Sequence, residues 1–203
     1  MRRLLAFLAP LLLLAAAAAQ TATWTIDPAH STAAFTVRHM MINNVRGEFS
    51  KTTGTLQLDP KDITKSTVEA SIDAATVNTR VDARDADLRS ANFFDVAKYP
   101  ILSFKSTKVE QVAPGKLRVT GDLTMHGVTR PVVLEVDGPS PAIKDPWGNT
   151  RIGLSASTKI NRKDWGLMYN KLLESGGMVV SEEVSIDLEL EFVQKAPAPS
   201  KGN

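Results

Sequence analysis

Val184-Ser185-Ile186-Asp187-Leu188-Glu189-Leu190-Glu191-Phe192 alternates apolar and polar residues without a break. Successive side chains of an extended chain point to opposite faces, so this stretch puts one face in a core and the other in water. The same period of two recurs at Val68/Ala70/Ile72/Ala74, at Leu117/Val119/Gly121/Leu123/Met125 and at Ile152/Leu154/Ala156. Shorter versions stand at Ala33/Phe35/Val37, Val45/Gly47/Phe49, Leu56/Leu58, Leu102/Phe104 and Val132/Leu134/Val136. Turn residues separate them: Asp27-Pro28, Asp59-Pro60, Pro114-Gly115, His126-Gly127 and Asp137-Gly138-Pro139. The pattern predicts about nine strands, each with one wet face, and hence an antiparallel sheet. Open edges invite aggregation, so strands in this number close into a barrel or stack as a sandwich, and the pattern leaves both open.

One stretch breaks the period. Val81 to Asp95 carries Ala, Arg, Leu and Asp where strands carry β-branched residues, and predicts a helix. Asp82 caps it in this reading, Asp85 reinforces the first turn, and Leu88, Ala91 and Phe94 share the face turned to the sheet. A second short turn or helix is expected over Asn161 to Leu167, around Trp165.

The ends are different in kind. Arg2 and Arg3 precede an apolar run from Leu4 to Ala18, and Ala17-Ala18-Ala19 offers small residues before Gln20. That is the layout of a cleaved signal peptide over residues 1–19, and the run is shorter than the ~20 residues that span a bilayer. Without cysteine, a lipid anchor at the cleavage site is excluded, as are disulfide scaffolds, iron–sulfur ligation and thiol catalysis. Residues 20–195 read as one domain, and 196–203, which alternates Pro with small residues, as an extended or disordered tail. Removal of Arg2 and Arg3 leaves 22 basic residues against 22 acidic ones. That balance argues against nucleic acid or an anionic membrane surface as a partner.

The search for catalytic chemistry returns little. His30, His39 and His126 come from separate segments, and no two have the close spacing of a zinc site. No serine sits in a G-x-S-x-G elbow, and the P-loop, G-x-G-x-x-G and H-E-x-x-H patterns are all missing from the sequence. Arg84, Asp85, Asp87 and Arg89 crowd the expected helix. They fit either a polar gate for an anionic head group or ordinary helix solubility, with an Asp85–Arg89 pair worth only ~0.3–0.5 kcal/mol. Phe93-Phe94 and Met40-Met41 fit core packing or the mouth of an apolar pocket.

Several stretches resemble the YceI-like family of polyisoprenoid-binding, lipocalin-like proteins. Asp27-Pro28-Ala29-His30-Ser31 with Phe35-Thr36-Val37-Arg38-His39 resembles its opening, and Val45-Arg46-Gly47-Glu48-Phe49 its next strand. Leu88-Arg89-Ser90-Ala91-Asn92-Phe93-Phe94-Asp95, with Tyr99-Pro100 and Phe104-Lys105-Ser106, is similar to its most specific signature. Thr120-Gly121-Asp122-Leu123-Thr124-Met125-His126-Gly127-Val128-Thr129 and Asn161-Arg162-Lys163-Asp164-Trp165-Gly166 complete the set in the same order. One position departs: Asp87 stands where the family often has histidine, and an acid there disfavours a phosphate head and tolerates a neutral or quinone one.

The resemblance implies an all-β, eight-stranded antiparallel lipocalin-like barrel with a short helix near residues 82–95, exported to the periplasm. It also implies an apolar tunnel for a polyprenyl phosphate, a quinone tail or another long amphiphile, with no metal and no cofactor beyond that lipid. Phe35, Val37, Phe49, Ile72, Phe104, Leu123, Met125, Leu154, Leu188 and Leu190 are the expected wall. Met41, Leu88, Phe93, Phe94 and Trp165 are the expected mouth, with His39, Arg84 and Arg89 nearest the head group. The expected partner is the lipid, with no nucleic acid, no stable membrane insertion and room for a homodimer. Two rival readings are a solidly packed barrel acting as an interaction or stress module, and a hydrolase or metal enzyme built on the three histidines.

Overall fold

The computed structural model describes residues 21–174 and 176–194. The leader expected over 1–19 and the tail expected over 196–203 lie outside the described residues. Twelve strand segments follow in order: β1 (Ala22–Ile26), β2 (Thr32–His39), β3 (Asn43–Phe49), β4 (Thr52–Leu58), β5 (Thr67–Asp73) and β6 (Val77–Asn78). After helix α1 (Asp82–Arg89) come β7 (Ile101–Ala113), β8 (Lys116–Met125), β9 (Val128–Asp137), β10 (Ile143–Lys144), β11 (Thr150–Asn161) and β12 (Val180–Gln194).

Register turns the segments into a closed ring. β12 pairs with β11 along one edge, Glu183 to Val193 against Asn161 to Arg151. Its other edge carries β2 opposite Val180 to Glu189 and β1 opposite Phe192 to Gln194. β1 and β2 are therefore one long stave, broken at Pro28–His30, where Asp27 accepts a hydrogen bond from Ala29 N at 3.0 Å. β3 and β4 make a second bent stave, and β5 and β6 a third, because β4 pairs with β1 and β5 while β3 pairs with β2 and β6. Continuing through β7, β8, β9 and β11, the ring holds eight antiparallel staves. Closure decides between the barrel and the sandwich: the path from β11 through β9, β8, β7, β5, β4 and β1 reaches β12, and the β11–β12 ladder joins it into a ring.

The antiparallel order of the staves puts His39–Asn43, α1, His126–Gly127 and the 162–179 segment at one end of the barrel, called here the α1 end. Two seams lose their ladder toward that end. Pairing of β5 with β7 stops at Asp73 and Ile101, and β9 meets β11 only through Glu135–Asp137 and Ser155–Ser157. Helix α1 and the following turns cover the first gap. A short turn at Arg162–Trp165 covers the second; Asn161 caps it by accepting from Lys163 N at 3.0 Å, and Gly166 ends it at φ 77°.

The helix is shorter than the expected 81–95. It stops at Arg89 because Ser90 N bonds back to Asp87 O and Phe94 N to Leu88 O, folding the chain onto itself before Phe93 and Phe94. Asp82 does not cap it; Val81 holds the N-cap position with no side-chain bond. Asp85 and Arg89 do not pair with each other, since Asp85 is buried against Thr79 and Arg89 is held by two backbone carbonyls. No helix of the described residues is long and apolar enough to cross a membrane.

Candidate functional site: an apolar cavity with a charged end

The barrel is hollow. A cavity of about 470 Å³ lies inside the ring, within the range of small-molecule pockets. Its wall includes Val180 to Phe192 of β12, about 40 Å of strand, or roughly 30 Å along the axis at a typical barrel tilt. Phe35, Val37, Phe104, Leu123, Leu134, Leu154, Ile186, Leu188 and Leu190 all face it and are only half-buried despite pointing inward. In a filled core these side chains would touch neighbours on every side. Here they face open space.

The alternation places the wall correctly except where a bulge intervenes. Leu102 and Phe104 face inward on β7, but the register shifts between Ser106 and Lys108, so the next inward residue is the odd-numbered Val109. Of the expected wall, Phe35, Val37, Phe49, Ile72, Phe104, Leu123, Met125, Leu154, Leu188 and Leu190 all line the cavity. Leu88, Phe93 and Phe94 do so at the α1 end, where Phe94 packs edge-on to Phe49 at 5.6 Å and Phe93 lies 5.0 Å from Tyr169.

Three expected residues do not line it. Met41 is 52% exposed on the β2–β3 turn, with φ 62° turning it away from the wall. Trp165 is 2% exposed and packed into the β9–β11 gap, its indole N–H donating to Leu123 O at 3.0 Å. Arg89 reaches away from the cavity: its Nε donates to Ala75 O and its Nη2 to Val77 O, both at 2.8 Å. Those carbonyls belong to the stave whose ladder with β7 has ended, so Arg89 supplies the missing donors.

Every ionisable side chain on the wall sits at the α1 end: His39, Arg84, Asp87, Arg162 and Tyr169. At the opposite end the wall's polar groups are confined to hydroxyls such as Ser66 and Thr67. Arg84 donates to Thr79 Oγ1 at 2.7 Å and Thr79 O at 2.8 Å, while Thr79 Oγ1 donates to Asp85 at 2.5 Å. One hydroxyl thus links Arg84 to buried Asp85, accepting from the first and donating to the second. Asp87 accepts from Asn92 Nδ2 at 2.7 Å. Arg162, which carries no site role in the sequence reading, is the most buried of the wall cations, and desolvation pushes its pKa down. A signal for it exists: it continues the inward series Leu154, Ala156, Thr158, Ile160 at the same period of two.

The three histidines are not brought together. His30 bonds Asp27 at 3.0 Å outside the wall, His39 lines the cavity, and His126 packs edge-on to Tyr99 with Nδ1 3.2 Å from Trp165 O. Asp27, His30 and Glu191 converge closely enough to hold a cation, but Arg151 already stands between the carboxylates, 2.6 Å from Asp27 and 2.5 Å from Glu191.

A closed eight-stave barrel around an apolar cavity, polar at one end, defines a lipocalin-like binding protein. Comparison with known sequences places it further: the YceI-like domain matches residues 24–192, and the chain belongs to that family. A UPF0312 protein of Vibrio cholerae is 36% identical over 180 residues, covering 88% of this chain and 90% of the relative. One from Pseudomonas savastanoi pv. phaseolicola is 33% identical over 185 residues, covering 90% and 92%. Among solved structures, the Campylobacter jejuni YCEI protein is 29% identical with a TM-score of 0.66, covering 76% of this chain and 87% of its own. A polyisoprenoid binding domain from Saccharophagus degradans shares the fold at 20% identity and a TM-score of 0.62, covering 87% and 100%.

Proposed function

We propose that the protein is a non-enzymatic carrier of long-chain amphiphilic lipids, isoprenoid-type above all, working in the periplasm after loss of its leader. One observation carries the reading: an apolar hollow running the length of the barrel, with all its ionisable groups at one end. An amphiphile has the same layout. Each Å² of tail surface taken out of water contributes ~25 cal/mol, so an insoluble chain gains most by lying in such a wall. The Saccharophagus domain, described as polyisoprenoid binding, supports the isoprenoid class. Held lipid requires neither a nucleophile nor a metal.

The test is organic extraction of freshly purified protein followed by mass spectrometry, together with uptake of added polyprenyl and quinone compounds. Co-purifying lipid, or uptake at one molecule per barrel, is the expected result. Absence of both co-purified lipid and uptake would overturn the carrier reading.

A further inference from the structure

We infer that Arg162 anchors an anionic head group, a phosphate or a carboxylate, of the amphiphile held in the cavity. This rests on the carrier reading and adds to it the chemistry of the head. Arg162 is 4% exposed and forms part of the cavity wall. Its Nε donates to Ser181 O at 3.0 Å and its Nη1 to Leu167 O, while Nη2 is buried and has no hydrogen-bond partner. Both partners are neutral carbonyls. No carboxylate among the described residues lies within ion-pair distance of it. Glu182, the acid whose field reaches it, is already held by Lys163 and by Asn161 Nδ2 at 3.4 Å.

A buried guanidinium stays charged, and a buried charge is costly unless it is paired. Stapling the 162–179 segment to the barrel explains the two carbonyl bonds. It explains neither the unused donor nor the missing counter-charge. Arg84 shares the Thr79 hydroxyl with buried Asp85, and Asp87 accepts a hydrogen bond from the Asn92 amide. Arg162 is the wall cation with a buried, unpartnered donor and no carboxylate in reach, and its planar fork suits the paired oxygens of phosphate or carboxylate.

The experiment compares a polyprenyl monophosphate with the polyprenol of the same chain length on the wild-type protein, Arg162→Gln and Arg162→Lys. Wild type is expected to prefer the phosphate by about ten- to a hundredfold, as for a charge-assisted hydrogen bond. Arg162→Gln should abolish the preference while keeping the affinity for the alcohol, and Arg162→Lys should retain part of it. A long-chain fatty acid set against its alcohol separates a carboxylate site from a phosphate one. Equal wild-type affinity for charged and uncharged members of both pairs overturns the assignment, as does a Gln variant that loses both members alike. Binding of none of the four by wild type overturns the carrier reading itself. Should the Gln variant fail to fold by circular dichroism, the wild-type preference and its reduction in Arg162→Lys decide.

Discussion

The ring of Phe35 fills the space that a side chain at Gly47 would need. The two stand directly opposite on β2 and β3, and a Cβ on Gly47 would lie 2.8 Å from Phe35 Cε1 and 2.8 Å from Thr79 Cγ2. Gly47→Ala should therefore destabilise the fold by about 1–3 kcal/mol, overpacking outweighing the lower chain entropy of alanine. Denaturant unfolding reads it directly. Stability equal to wild type would mean that the ring swings freely aside.

A hollow interior answers to enlargement differently from a packed one. Leu188→Trp faces the cavity, so its stability should stay within about 1 kcal/mol of wild type, where a filled core loses 1–3 kcal/mol. Lipid uptake should fall sharply in the same variant, because the indole occupies the tail's path. A clear loss of stability with uptake retained would show the hollow to be elsewhere.

Arg89 is expected to matter for the fold and not for the ligand. Arg89→Ala leaves the carbonyls of Ala75 and Val77 without their donors, which should cost about 1–3 kcal/mol. Affinity for a polyprenyl phosphate should be unchanged. A fall in affinity at unchanged stability would return Arg89 to the head-group site.

Acid sensitivity should concentrate on the outer cluster around Arg151. Hydrogen bonds from Arg151, then His30, hold Asp27 at about 2, below the ordinary 3.8. Hydrogen bonds from Arg151, then Asn149, hold Asp145 at about 2 from the same ordinary value. Both folded-state values are depressed, so the stabilisation is present in full above the unfolded value of 3.8 and is lost as pH falls through 2. Thermal melting across that interval should show Tm dropping in wild type and dropping less in Asp27→Asn. A flat profile in wild type would refute the linkage.

Much of this architecture was legible in period two. The alternation of Val184 to Phe192 marks the inward face of β12 residue for residue, and the same rule identifies ten wall positions. The strand count was harder. Asp27-Pro28 reads as a turn, yet β1 and β2 continue as one stave because β12 pairs with both, a long-range fact that no local pattern contains. Met41 and Trp165 failed for a related reason. Hydrophobicity signals burial or a mouth, but a left-handed turn sends Met41 outward and a missing ladder draws Trp165 into a gap. Arg89 resembled a head-group ligand because its carbonyl partners become available only where β7 falls short of β6. Arg162 was within reach, since its parity matches Ile160, but a charge in an apolar series reads first as the strand's end.

The two gaps at the α1 end give the molecule uneven stiffness. Where strands are joined by backbone bonds, widening the wall means breaking them, and there the girth is fixed. Around β6 and the upper part of β9 the neighbours are instead a helix, an arginine side chain and a wedged indole, which can shift without unzipping a sheet. Amide protons of Val77 and Asn78 should therefore trade with solvent sooner than those of Leu188 or Leu154. Passengers of different bulk would be accommodated by give at that rim, with the rest of the vessel keeping its calibre.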